Sequence, residues 1–422
     1  MNQLLALPLE VRLASLFVIG TLFGSFINWG IYALAWCPRP ISPWQRPNPE
    51  APRRSWFDFV PVLGWLGLAR EAKLHGRGFW LRPLLLELAS GLGLAALYHW
   101  EISGQLAPPL VPPFAVPFLV IPPTTAMLHQ QFACHALIIA LMLVATFIDF
   151  DEKTIPDAIT IPGTLLGLVL AAVWPDALLP VVRLFPRPPQ YGPLLFTSTD
   201  EWPPWLDGWC GAALGVMIFC LWCAALIPAL ATLRRGWLKG AQLYFASIAR
   251  DSAWWKMLLL AAVGSAAILF VWNQGGPRWQ SLLTALVGLA GGGGLIWAVR
   301  IVGEIALRKE AMGFGDVTLM AMIGAFLGWQ ACLVIFFLSP FAALLIAVTQ
   351  WALTGRRDIA FGPYLCLAAL FVIVKWAAIW TELAPLFALG WLVPGVFAVC
   401  LVLMLGLLML WRIAEQALFG SR

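Results

Sequence analysis

The chain has 422 residues, of which 61% are apolar and 11% charged, with a mean hydropathy of +0.85. A soluble domain carries roughly 25% charged residues to keep its surface wet, so a soluble globular fold is excluded. The net charge of +5 is no nucleic-acid signature, because no basic run is dense and the basic residues sit between apolar stretches.

Eleven apolar stretches follow one another, at about 13–36, 83–99, 134–150, 158–174, 208–231, 257–272, 281–300, 312–328, 331–350, 360–380 and 386–411. Each approaches the ~20 residues a helix needs to cross a bilayer. Lipid offers no hydrogen bonds, so each must satisfy its own backbone as a helix. The expectation is an all-α polytopic transmembrane protein of about eleven spans. The 24 Trp agree, because indole rings collect at the membrane–water interface. The first stretch reads as a retained span rather than a signal core, since residues 1–12 carry no net positive charge and Leu13 to Trp36 is long for one.

The connections set the orientation. Residues 38–82 carry Arg39, Arg46, Arg53, Arg54, Arg70, Lys73, Arg77 and Arg82, which assigns that loop to the cytoplasm. The Pro-rich loop 100–133 has Glu101 but no Lys or Arg, and is expected outside. Alternation then puts Asp151–Asp157 inside and the Pro/Trp-rich 175–207 outside. Arg234, Arg235, Lys239, Arg250 and Lys256 fall inside, as do Arg300, Arg308, Lys309, Arg356, Arg357, Arg412 and Arg422. Only Arg183, Arg187 and Arg278 are discordant. The stretch 236–256, with Trp237, Tyr244, Phe245, Trp254 and Trp255, fits either a segment lying along the membrane surface or a solvated loop.

Few groups in such a chain carry chemistry. The eight cysteines are scattered, and Cys220 and Cys223 read as small buried thiols rather than a metal or redox pair. His75, His99, His129 and His135 fall into no metal-ligand spacing, and His135 reads as interfacial. Gly291–Gly294 lacks the lysine of a phosphate loop and suits helix packing or a local break. An ionisable group at membrane depth is costly and is kept for a purpose, so the carboxylates stand out. Asp149 closes the third span in Thr146-Phe-Ile-Asp149-Phe-Asp151, followed by Ile155-Pro156-Asp157. Asp316 opens the eighth in Met312-Gly313-Phe314-Gly315-Asp316. Alternation brings both to the same membrane face.

Two neighbouring carboxyls, one ionised and one protonated, can activate water and polarise a peptide carbonyl. Gly313 and Gly315 would let a strand or helix approach Asp316. The plainer alternative is that Asp149, Asp151 and Asp157 mark a helix end and a wet turn, while Asp316 answers a helix dipole.

These segments resemble the type IV prepilin leader peptidases, a family of membrane aspartyl peptidases with a GxGD motif. Ile148-Asp149-x-Asp151-x-x-x-Ile155-Pro156-Asp157 is similar to the family's first catalytic motif, and Gly313-Phe314-Gly315-Asp316 to its GxGD. Phe361-Gly362-Pro363, Gly24-Ser25-Phe26-Ile27-Asn28, Pro61-Val-Leu-Gly-Trp65 and Arg82-Pro-Leu-Leu-Leu-Glu87 resemble further elements, in the family's order.

The resemblance implies an enzyme that cuts the basic leader from type IV prepilins or type II secretion pseudopilins at the cytoplasmic face of the bacterial inner membrane. Asp149 and Asp316 would be the catalytic pair, supported by Gly313, Gly315, Asp151, Pro156 and Asp157. It divides the chain into an N-terminal domain (1–100), a first catalytic half (134–182), an inserted transmembrane segment (183–300) and a second catalytic half (301–422).

Proteolysis would need no cofactor, and S-adenosylmethionine would enter only if the family's methylation of the new N-terminus is retained. Bifunctional members bind zinc through two CxxC pairs in the first loop. Here that loop has only Cys37, so zinc is not expected. The expected partners are the prepilin and the lipid bilayer, with no nucleic acid, and the oligomeric state is open. The basic first loop would face lipid headgroups, leaving Asp151, Glu152 and Asp157 to attract the leader. The rival is a transporter or assembly scaffold whose acids hold ions, or an inactive peptidase relative.

Overall fold

The computed structural model describes residues 7–103, 106, 122–183, 190–227, 254–307, 312–354, 361–390 and 392–419. The long helices are α1 (Leu9–Ala33), α4 (Leu81–Ile102), α5 (Thr125–Glu152), α6 (Asp157–Val173), α7 (Trp209–Ala225), α8 (Trp254–Gln274), α9 (Gly276–Leu307), α10 (Phe314–Leu327), α11 (Trp329–Thr354), α12 (Gly362–Phe387) and α13 (Leu392–Phe419). Two short helices, α2 (Leu63–Leu68) and α3 (Ala72–His75), lie between α1 and α4. Seven of the long helices are long and apolar enough to cross a membrane, and the other four are shorter apolar helices. Together they stand at the eleven expected spans. The protein is an all-α polytopic membrane protein.

Small residues and buried polar groups set the packing of the first two spans. A Cβ at Gly20 would lie 2.7 Å from Gly91 Cα, and one at Gly24 2.7 Å from Glu87 Cα, so α1 and α4 touch backbone to backbone. That approach delivers Ser25 Oγ to Glu87 Oε1 at 2.8 Å and Asn28 Nδ2 to the same oxygen at 3.2 Å. The Val62 N–H donates to the other oxygen, at 2.5 Å. Glu87 is buried, and a buried carboxylate without such donors is strongly destabilising. The Gly24-Ser25…Asn28 and Arg82…Glu87 segments are therefore two halves of one polar lock.

At the other side of the bundle, α9 lies on α10. A Cβ at Gly288 would fall 2.1 Å from Gly324 O, and one at Gly292 2.4 Å from Met320 O. Gly291, Gly292 and Gly293 of the four-glycine run are thus a packing face within an unbroken helix, while a Cβ at Gly294 would meet nothing within 4 Å. From Asp316 to Leu327 every residue of α10 is buried, which makes it the central helix.

Three sequence expectations are corrected or refined. The first loop is a folded cap, centred on Arg54, whose Nη1 donates to the carbonyls of Ser42, Pro43 and Gln45 at 2.8, 3.1 and 3.1 Å. Its Nε lies 3.4 Å from the buried Glu71.

The 175–207 segment is no free loop. It holds a two-stranded antiparallel hairpin, β1 (Pro180–Arg183) with β2 (Gln190–Pro193), and buries Leu178, Leu179, Leu194, Leu195 and Leu206. Side chains from several helices hold its carbonyls. Gln131 Nε2 reaches Leu178 O and Gln330 Nε2 reaches Leu195 O, both at 2.9 Å, and Trp376 Nε1 reaches Pro180 O at 2.8 Å. Gln131 lies eighteen residues from Asp149 on α5, about 27 Å at 1.5 Å per residue. The segment therefore plugs the far end of the bundle.

His135 is buried rather than interfacial, with Nδ1 2.8 Å from Glu101 Oε1, itself buried. Of the stretch 236–256, only Trp254, Trp255 and Lys256 lie within the described residues, and Arg187, Arg234, Arg235, Lys239, Arg250, Arg308, Lys309, Arg356, Arg357 and Arg422 lie outside them.

Candidate active site

Asp149 sits in the last turn of α5 and is buried. The helix stops because Lys153 adopts a left-handed conformation (φ 58°), with its N–H on Asp149 O at 3.0 Å. Ile155 and Pro156 then turn the chain into α6. Pro156 caps that helix, has no N–H of its own to leave unpaired, and offers its carbonyl to Ile159 N at 3.0 Å. The side chain of Asp149 leans on the start of α12. A Cβ at Gly362 would lie 2.7 Å from Asp149 Oδ2 and 2.8 Å from Ile155 Cδ1, so the carboxylate lies against the backbone of that helix start.

Asp316 occupies the first turn of α10 and is also buried. Gly315 is needed there, because its Cβ would meet Ile155 Cβ at 3.0 Å and Ile155 O at 3.2 Å. Gly313 is different. A Cβ there would make only ordinary contact, 3.7 Å from Asp316 Oδ2. Of the two glycines, Gly315 permits the close approach, and its neighbour across the gap is the Ile155 linker.

The two carboxylates, 167 positions apart in the chain (316 minus 149), come within electrostatic range of each other. Cys366 of α12 is close enough to feel both. The Arg300 guanidinium acts on Asp316 and stands 5.7 Å from the centre of the Phe314 ring. Four helices, α5, α9, α10 and α12, thus converge on one end of the bundle. Among the described residues, no group of three or more His, Cys, Asp or Glu could hold a metal ion.

The other acids of the first motif do structural work. Asp151 pairs with Arg82 at 2.9 and 3.0 Å and with Arg39 at 3.9 Å. Glu152 accepts from the backbone N–H groups of Trp36 and Cys37 at 2.7 and 3.0 Å. Both tie the cap to the end of α5, so they are not free to attract a leader. Asp157 remains exposed in the first turn of α6. Sequence reasoning missed Gly362 and Cys366 as neighbours of the pair. The signal for Gly362 was its place before a proline at the start of a span.

Residues 251–348 match the type IV leader peptidase family. That stretch, about a quarter of the chain, is similar to type IV leader peptidases. The matched stretch contains Asp316 and not Asp149, and begins within the 183–300 segment read as inserted. A prepilin leader peptidase/N-methyltransferase of Aeromonas hydrophila is 34% identical over 91 residues, which is 21% of this chain and 31% of the relative. One of Pectobacterium carotovorum is 32% identical over 123 residues, 28% of this chain and 43% of the relative. One of Myxococcus xanthus is 29% identical over 161 residues, 37% and 39% of the two chains. The matches thus span less than half of each of these relatives. No solved structure matches.

Proposed function

We propose that this protein is a membrane aspartyl endopeptidase that removes the leader from prepilins or pseudopilins. The observation that carries this reading is the pairing of two buried carboxylates, Asp149 and Asp316, from separate helices at one end of an apolar bundle. Asp149 lies in the last turn of one helix and Asp316 in the first turn of another, both buried, so the packed bundle positions them before any substrate arrives.

In the proposed reaction the pair shares one proton, because two adjacent carboxyls do not both ionise readily. The ionised member takes a proton from water as the oxygen attacks the scissile carbonyl. The protonated member donates to the carbonyl oxygen, and the proton gained from water passes to the departing amine. No covalent intermediate forms and no cofactor takes part.

The relatives' names include N-methyltransferase. Methyl transfer in this chain would draw on S-adenosylmethionine and is a separate proposal from hydrolysis.

The cap's basic residues favour the cytoplasmic side of the inner membrane for the carboxylate end. A prepilin with a short basic leader and an apolar helix is the substrate that matches a site there. The test is incubation of purified protein in bilayers with a full-length prepilin, with the new N-terminus read by mass spectrometry. One cut between leader and apolar helix is expected, while an intact prepilin across several substrates would sink the proposal.

A further inference from the structure

We propose that the cap formed by residues 34–80 is seated on an anionic lipid surface at the carboxylate end of the bundle. The inference is independent of the peptidase reading.

The first observation is how the cap uses its charges. Its three acids are Glu50, Asp58 and Glu71. Asp58 and Glu71 are buried, and their partners are Arg70 and Arg54. Glu50 is then the only acid left on the cap's surface, against exposed Arg39, Arg46, Arg53, Lys73 and Arg77. Arg39 has a share of Asp151, at 3.9 Å. The outer face is therefore strongly positive because the fold consumes its negative charges internally.

The second observation is apolar. Trp36, Trp56 and Trp44 are 88%, 79% and 54% exposed, and Trp44 meets the exposed Phe59 edge-on at 5.5 Å. A cap that faced only water would not expose three indoles together with five cations within 47 residues. Indole rings and arginines together fit the headgroup layer, where the ring sits among the glycerol esters and the cation meets phosphate.

The third observation is position. Both ends of the cap run directly into long apolar helices, α1 ending at Ala33 and α4 beginning at Leu81. Trp36 is three residues beyond α1, within about 11 Å of its end even when fully extended. Both ends of the cap, and Trp36 with them, are therefore held close to the ends of these apolar helices. Through Glu152 on the Trp36 and Cys37 amides the cap is also tied to the helix that carries Asp149, so its seating bears on where α5 ends.

The experiment uses the full chain in nanodiscs of phosphatidylcholine alone or with about a quarter phosphatidylglycerol. Hydrogen exchange of residues 36–80 and quenching of tryptophan by brominated lipid are measured in both. Anionic lipid is expected to slow exchange of the cap about tenfold, and salt near ~0.5 M to reverse most of that. The triple variant Arg46→Glu, Arg53→Glu, Arg77→Glu should lose the response, and the matching Lys variant should keep it. Protection of the Leu63–Leu68 amides, around the buried Trp65 and Leu68, reports that the cap is still folded. Equal exchange and quenching in the two lipids would overturn the proposal. So would protection that appears only when a prepilin or another protein is added.

Discussion

Replacing Gly362 by alanine tests the site's geometry without touching a carboxylate. The new Cβ would lie 2.7 Å from Asp149 Oδ2, whereas ordinary contact begins near 3.4 Å. The carboxylate must therefore retreat by about 0.7 Å, or Ile155, whose Cδ1 would be 2.8 Å away, must turn aside with it. Both obstructing atoms are the far ends of side chains, so the helices need not part and the chain should fold. The cost in stability is that of mild overpacking, about 1–3 kcal/mol at most. Catalysis should suffer more, because a misplacement near 1 Å can cost roughly 100-fold. We expect kcat for prepilin cleavage to fall roughly 10- to 100-fold with little change in Tm. Gly93→Ala is the control, since a Cβ there meets nothing within 4 Å. If Gly362→Ala kept the parental kcat, the assignment of Asp149 to the reaction would lose its geometric basis.

Two further outcomes follow from buried polar groups. Removing either Glu101 or His135 leaves its buried partner without that hydrogen bond, and each single variant should lose about 1–3 kcal/mol of stability. The double replacement by leucines should be milder than the sum, as a double-mutant cycle on thermal or denaturant unfolding would show. In the cap, burial acts to raise the Asp58 carboxyl. The Arg70 hydrogen bond, the Ser55 N–H and the charges of Arg70 and Arg54 outweigh it, and hold the group below the usual carboxylate range. A depressed value stabilises the fold above the ordinary carboxylate pKa, and that contribution disappears as pH falls through the lowered one. Protection of residues 55–70, taken relative to the intrinsic exchange rate at each pH, should therefore fall as pH drops below about 4, and Asp58→Asn should flatten the response.

The spans were legible because hydropathy reports directly on the solvent each residue needs, and no distant contact is required to predict a helix in lipid. Asp149 and Asp316 stood out for a related reason, since a charge inside an apolar chain has few inexpensive explanations. The cap and the plug were hidden because backbone carbonyls hold them. Arg54 looked like one more topology-setting arginine, and Gln131, Gln330 and Trp376 have no sequence pattern that announces a carbonyl at the far end of the side chain. Asp151 and Glu152 read as free acids because their partners, Arg82 and the Trp36 and Cys37 amides, lie 69 to 116 positions away. His135 looked interfacial while its partner Glu101 sat in a different predicted segment.

The central claim is that Asp149 and Asp316 act together on a peptide bond. Its most direct test is prepilin processing in cells by the parent protein, Asp149→Asn and Asp316→Asn, with membrane levels of all three matched. Asparagine keeps the size of each side chain and removes its capacity to ionise. The account predicts cleavage by the parent and none by either variant, whereas cleavage that survives one substitution would remove that aspartate from the mechanism.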